Sequence, residues 1–251
     1  MRSLAIVVCV AGLSVLFGPK GAQSEATATS TQAKAVVELY TSQGCSSCPT
    51  ADALLGRLAK RDDIIAISWA VDYWDYLGWR DRAARPEFTE RQKAYAKLLG
   101  DGMVYTPQAV INGVAHANGS DEGKIDRAID EGAKAFAASQ VPVRLSAVDG
   151  RLVIDIGPAP QGTAATEATV WLAPIAGSME VSITKGENRG KTIVYSNVAR
   201  GLIPVGRWNG KPMTVQLERH NFMYGDADRC VVLLQQGRGG PIVGAALLTQ
   251  F

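Results

Sequence analysis

The stretch from Val36 to Leu58, VVELYTSQGCSSCPTADALLGRL, constrains this chain more than any other. Val36, Val37, Leu39 and Tyr40 are the β-branched, apolar and aromatic residues of a buried strand. Ser42 to Gly44 breaks the run, and Cys45 and Cys48 follow with Ser46 and Ser47 between them. Pro49 fits the first turn of a helix, where a missing N–H costs little. Ala51, Leu54, Leu55 and Leu58 then recur at helical spacing and give that helix one apolar face. Both sulfurs are thus expected at a helix N-terminus. Unpaired N–H groups and the positive dipole end there favour thiolate over thiol. A Cys-x-x-Cys pair on one turn can also close a disulfide with little rearrangement. Cys45, nearer the tip and open to solvent, is expected to attack. Cys48, one turn in, is expected to resolve the mixed disulfide.

The chain has 251 residues, 47% hydrophobic and 20% charged, so it is globular and long enough for two modest units. Met1 and Arg2 followed by the apolar run Leu4–Phe17 read as a signal peptide over residues 1–24, since the run is short for a membrane span. Residues 25–34, EATATSTQAK through its end, read as a small, polar, disordered leader. The expected location is therefore periplasmic or secreted. Taking Arg2 and Lys20 from the 26 basic residues leaves basic and acidic side chains balanced at 24 each. With no basic block, neither nucleic acid nor an anionic membrane surface is an expected partner. Of the four cysteines, Cys9 would leave with the signal, so Cys45, Cys48 and Cys230 remain in an oxidising compartment. Three is too few for a disulfide-stapled fold; one reactive pair and one leftover thiol is the simpler arithmetic.

Ile64–Val71 reads as a second apolar strand, which makes strand, helix, strand a parallel βαβ unit. Asp72–Arg82, DYWDYLGWRDR, follows that strand's C-terminal end, where ligands of α/β sheets tend to bind. Tyr73, Trp74, Tyr76 and Trp79 are either an aromatic wall for an extended peptide or a satellite core. Pro86 opens a helix that Gly100 closes. Asn112-Gly113 between Gln108–Ile111 and Val114–Ala117 is a hairpin signal. Ser120 is placed to cap a last helix, with Ile125, Ala128, Ile129 and Phe136 on one face.

Three runs, VELYTSQGCSSCPTADALL, VDYWDYLGW and YTPQAVING, carry a resemblance. Residues 35–140 resemble the thioredoxin-like superfamily, and together the runs look like the bacterial domain-of-unknown-function family 1223. The resemblance implies an α/β domain with a central mixed sheet flanked by helices. It also implies a cis bond at Thr106-Pro107, with Pro107 shaping a peptide groove beside the cysteines. The Thr106 backbone would pair with a bound peptide as an added strand, and Ser46, Ser47, Tyr73 and Trp74 would line the groove. By the same resemblance Glu38 is the candidate proton acceptor for the resolving thiol, although its spacing to Cys45 is a residue long. Ser46-Ser47 in place of Gly-Pro leaves the redox potential open.

Beyond residue 140 the texture is all-β. VPVRLSAV, Asp149-Gly150 and RLVIDI form a hairpin with near-strict alternation. Short strands follow at 168–172, 179–184, 192–196, 213–217, 230–235 and 242–248, so residues 141–251 read as a sandwich-like all-β domain. GENRGKT at 186–192 imitates a phosphate loop but has no helix after it, so no nucleotide is expected. Zinc would need ligands from Cys230, His116 or His220, which are scattered singly, so no metal or other cofactor is expected. Cys230 is either a buried small hydrophobe or a relay for the pair. The residues thus point to an exported thiol–disulfide oxidoreductase acting on protein or peptide thiols, with a membrane-bound redox partner as one means of recycling. The alternative is a binding or assembly module whose Cys45–Cys48 bond is structural.

Overall fold

The computed structural model describes residues 33–100, 102–163 and 167–250. The expected signal segment and most of the leader lie outside them. The elements run β1 (Ala35–Thr41), α1 (Cys48–Leu58), β2 (Ile64–Ala70), α2 (Pro86–Leu99), β3 (Gln108–Ile111), β4 (Ala115–Asn118) and α3 (Glu122–Ser139). An all-β remainder follows: β5 (Val143–Val148), β6 (Arg151–Ile156), β7 (Ala168–Ser182), β8 (Thr192–Ala199), β9 (Ile203–Trp208), β10 (Met213–Glu218), β11 (Arg229–Gln235) and β12 (Ile242–Leu248). Among the described residues no helix is long and apolar enough to cross a membrane.

The strands of the two halves meet in one large mixed sheet, ordered β12-β11-β7-β8-β2-β1-β3-β4, with β9 also on β7. β1 and β2 are parallel, and β3 runs antiparallel to β1. The join between the halves is narrow: β8 meets β2 parallel at the pair Ser68 and Val198. Asn197, at φ 48°, reinforces it by donating from Nδ2 to the Ala66 carbonyl at 2.9 Å. β5, β6 and β10 form a separate antiparallel sheet.

Alternation decides which layer each side chain joins. Ala35, Val37 and Leu39 of β1 pack against Leu54, Leu55 and Leu58 of α1 and Ile125 and Ile129 of α3. Val36 and Tyr40 face the other way, into a core with Trp69, Phe88 and Tyr95 and with Ile175, Val231 and Leu233 of the second half. β11 is buried on both faces: Val231 and Leu233 enter that core, while Cys230, Val232 and Leu234 face Leu145, Leu152 and Ile154 of the small sheet. This is the period-two logic of a strand packed on both sides.

Two hairpins form where two successive positive φ values were expected, at Asn112-Gly113 (51° and 69°) and Asp149-Gly150 (50° and 76°). Other expectations need correction. The segments 168–172 and 179–184 belong to one strand, β7. β9 was not foreseen, since Pro204 and Gly206 interrupt its pattern. The cap of α3 is Asp121, whose Oδ1 accepts from the Lys124 N–H at 3.0 Å; the Ser120 N–H is turned to Asn118 Oδ1.

Candidate functional site

The site forms where β1 ends. Thr41 closes the strand, Ser42–Ser47 loops outward, and α1 begins at Cys48 with Pro49 in its first turn. Turn bonds from Cys45 N–H to the Ser42 carbonyl and from Cys48 N–H to the Cys45 carbonyl, both 3.2 Å, wind the loop into the helix. Cys45 and Cys48 are joined as a disulfide with Cα atoms 5.4 Å apart. Cys45 therefore sits one turn ahead of the helix rather than within it.

Exposure corrects the sequence reading. Cys45 is 1% exposed and Cys48 fully buried, and only Ser46 and Ser47 of the loop reach solvent. The cover comes from the second half. Asn188, buried between exposed neighbours in the loop joining β7 to β8, donates from Nδ2 to the carbonyls of Gln43 (2.9 Å) and Cys45 (2.8 Å). Its Oδ1 accepts from Lys191 Nζ at 2.9 Å. Gln43 is held at two further groups: its N–H donates to Asp81 Oδ2 at 3.0 Å and its Oε1 accepts from Trp79 Nε1 at 2.8 Å. The phosphate-loop imitation at 186–192 is thus part of the clamp on the cysteine loop. Its partners lie about 145 residues away in sequence, so no local signal marks it.

The aromatic segment borders the same loop. A Cβ at Gly44 would meet Trp74 Cβ at 3.2 Å, so this glycine lets the indole approach. Trp74 Nε1 donates to Thr106 Oγ1 at 2.8 Å, and Tyr73 Oη donates to Gln92 Oε1 at 3.1 Å. Burial pushes the Tyr73 hydroxyl up to about 12. Tyr76 alone of the four aromatics stands well out, 79% exposed. The Thr106-Pro107 bond is cis. Tyr40 pairs with Gln108, so Pro107 lies beside the end of β1. A Cβ at Gly119 would lie 3.0 Å from Pro107 Cβ and 3.1 Å from Ala51 Cβ, which brings the proline next to the first turn of α1.

Glu38 does not meet the cysteines. It shares its side of β1 with Val36 and Tyr40, and so points to the face opposite α1. There Oε1 pairs with Arg91 Nε at 2.7 Å and Oε2 accepts from the Tyr95 hydroxyl. Arg91 also donates to Gln235 Oε1 at 2.7 Å. This buried network ties β1, α2 and β11 together.

A buried carboxyl on the helix that carries Cys48 is Asp52, a residue the sequence reading passed over. It follows Cys48 by four residues on the buried face of α1. Its Oδ1 accepts from Thr41 Oγ1 at 2.7 Å, while Oδ2 is buried with no hydrogen-bond partner among the described residues. Burial raises its pKa to about 8; the Thr41 bond opposes this, and Asp81 adds to it. Asp81 is itself raised by burial, against the N–H groups of Gln43 and Ala83. No local pattern marks it in the sequence, because an acidic residue in a helix reads first as a solvent-facing one.

Cys230 lies in the second core, and burial pushes its thiol up to about 12. His116 Nδ1 lies 3.0 Å from the Tyr105 hydroxyl, and His220 is exposed. Among the described residues no three His, Cys, Asp or Glu side chains converge on one point.

These features define a mixed α/β protein with a buried Cys-x-x-Cys disulfide at the start of a helix, beside a cis-proline. The chain belongs to the family described as protein of unknown function (DUF1223), whose model matches residues 36–235. It is similar to the crystal structure of protein AGR_C_4864 from Agrobacterium tumefaciens, with 37% identity and a TM-score of 0.77 over 88% of this chain and 96% of that one. HBP35 of Porphyromonas gingivalis is similar in fold, at 10% identity and a TM-score of 0.54 over 89% of this chain and 76% of that one. No curated protein matches the chain.

Proposed function

We propose that this chain is an exported thiol–disulfide oxidoreductase on a thioredoxin-like scaffold, acting on protein or peptide thiols through Cys45 and Cys48. The observation that carries this reading is the disulfide at the mouth of α1, with cis-Pro107 beside the helix's first turn. A four-residue ring adds little chain-entropy stabilisation, so a disulfide there fits exchange better than stapling. Cys45 is the sulfur attacked and Cys48 the one that leaves and returns. The disulfide itself carries the electrons, so the chemistry needs no cofactor. In this reading residues 1–24 direct export, residues 35–140 carry the exchange, and the β-rich remainder supplies the cover through Asn188.

The burial of both sulfurs favours a second reading, a binding module with a structural disulfide. The reduction potential, measured in glutathione buffers with thiol trapping and mass spectrometry, separates the two. An exchanging pair should titrate reversibly between about −120 and −270 mV, the range of dithiol oxidants and reductants. A pair that stays oxidised below about −300 mV would be structural, and the oxidoreductase reading would be abandoned.

A further inference from the structure

We propose that the two segments clamping the cysteine loop form a basic rim that selects protein or peptide thiols flanked by acidic side chains. The inference rests on the oxidoreductase reading and names the chemistry of its partner.

The rim follows from how the clamp is built. Segments 79–82 and 184–192 both fold onto Gln43, two residues before Cys45. From the first, Asp81 Oδ2 accepts from the Gln43 N–H and Trp79 Nε1 donates to Gln43 Oε1. From the second, Asn188 Nδ2 donates to the Gln43 and Cys45 carbonyls. A Cβ at Gly186 would meet Trp79 Cβ at 3.3 Å, so the two segments also touch each other. With Asp81 and Asn188 turned inward, their neighbours face out. Arg80 and Arg82 flank Asp81, Arg189 follows Asn188, and Lys185 and Lys191 lie three residues to either side of Asn188; all five are exposed. Lys191 Nζ donates to Asn188 Oδ1 at 2.9 Å, which puts one ammonium a single amide away from the Cys45 carbonyl.

Little on the same surface neutralises these charges. Glu187 is the one exposed acid of the two segments. Asp81 is buried and spends both oxygens on the N–H groups of Gln43 and Ala83. Asp75, which bears on Arg80, is half-buried and accepts from the Asp81 N–H. Arg80, Arg82, Lys185 and Arg189 form no ion pair among the described residues. The first turn of α1 holds no acidic residue, so its positive dipole end adds to the same field. Ser46 and Ser47, the exposed part of the cysteine loop, are uncharged, so the rim sets the preference. Cations of one sign around an exchange site raise the local concentration of anions and repel other cations. Because exchange at Cys45 needs a thiol, the anion gathered to use is one that carries sulfur: a cysteine set among Asp and Glu.

The exchange balances as follows. A peptide thiolate attacks Cys45 Sγ, a sulfur–sulfur bond forms between them, and the Cys45–Cys48 bond breaks. Cys48 leaves with the electron pair and is protonated by solvent. A second peptide thiolate attacks the peptide sulfur of the mixed disulfide, and Cys45 leaves as a thiolate that solvent also protonates. Two peptide thiols are oxidised to one disulfide, and the protein pair is reduced.

Three peptides of one length are the probes, each with a cysteine between pairs of glutamate, serine or lysine. The rate at which each reduces Cys45–Cys48 in the intact protein, expressed per peptide thiolate, is read by acid quench and alkylation at low and high salt. At about 20 mM salt the glutamate peptide should outpace the lysine peptide at least about tenfold, with the serine peptide between them, and at about 500 mM the gap should close. In the double variant Lys185→Glu with Arg189→Glu the low-salt order should vanish or invert. Both side chains are exposed and unpaired, and a loosened loop would admit all three peptides alike, so the ratio still reads charge. A parent protein without a salt-dependent gap, or a gap that the double variant leaves unchanged, would overturn the inference while leaving exchange intact. If the peptides reduce the bond only in unfolded protein, the oxidoreductase reading fails, and the rim loses its role with it.

Discussion

At the scale of single residues, Asp52 has a cost that can be read without any redox measurement. Its carboxyl is raised from the ordinary value of 3.8 to about 8 by burial. In the unfolded chain it ionises near the ordinary value, whereas the folded protein keeps the proton until about pH 8. Between those limits the folded state binds more protons, so stability falls as pH rises, by about 1.4 kcal/mol per pH unit for this group alone. Below the window the group contributes nothing, and above it the loss is complete. Asp81, raised for the same reason, pulls in the same direction. Asn at position 52 keeps the Thr41 bond and has nothing to ionise. Asp52→Asn should therefore melt higher than the parent, with a gap that widens from pH 5 to pH 8 in differential scanning calorimetry. A variant that melts lower at pH 8 would mean that the carboxylate is ionised and held by its surroundings.

At the scale of elements, the loop between β7 and β8 is the piece on which access to the disulfide turns. Its hold on the cysteine loop rests on Asn188, whose removal takes the Gln43 carbonyl's partner and leaves the Cys45 carbonyl with the Cys48 N–H alone, at roughly 1–3 kcal/mol for such a group. Asn188→Ala should lower stability by about that much and speed reduction of Cys45–Cys48 by glutathione several-fold, measured by alkylation and mass spectrometry. Unchanged reduction would mean that the loop is not the barrier. The same element marks the limit of what the sequence discloses. β1, the cysteine pair and α1 are legible because strand period, helix period and Pro49 agree over one short span. The hairpins are legible because Asn-Gly and Asp-Gly tolerate the positive φ their turns need. β7 is not legible as one strand because Pro174 interrupts it. Yet the Pro174 carbonyl accepts from the Arg200 N–H, so its missing N–H faces the gap between β8 and β9, where no ladder bond is lost. Glu38 was placed on the right strand but not on the right face, since parity relative to α1 emerges only once the packing is known. Asn188 and Asp52 were out of reach for a plainer reason: their roles are made by partners from β1, the cysteine loop and the segment before α2, not by their neighbours in sequence.

At the scale of the whole molecule, the question is whether the two halves stand or fall together. Backbone pairing alone would couple them weakly, because β2 and β8 share one bridging pair. Side chains supply the rest. One core holds Trp69, Phe88 and Tyr95 with Ile175, Val231 and Leu233, so neither half can expose its share without opening the other's. The Glu38–Arg91–Gln235 network crosses the same interface, fully buried, and Asn188 crosses it again at the site. Coupling of this kind produces one cooperative transition. In urea, the fluorescence of Trp69, read in a variant whose other four tryptophans (Trp74, Trp79, Trp171 and Trp208) are replaced by phenylalanine, and labelling of Cys230, which is shielded in the second core, should therefore share a midpoint. Glu38→Gln should shift both midpoints down together: it leaves Arg91 charged, buried and without its carboxylate, a loss of about 3–5 kcal/mol for a broken buried pair. Were Cys230 to become reactive at lower urea than the fluorescence change, the β-rich half would be an independent unit. The cover over Cys45 could then lift without disturbing the strand that carries the cysteines, and the Asn188 loop would act as a gate. With a single midpoint, opening the site and unfolding the molecule stay separate events, and exchange must proceed through local movement of residues 184–191 alone.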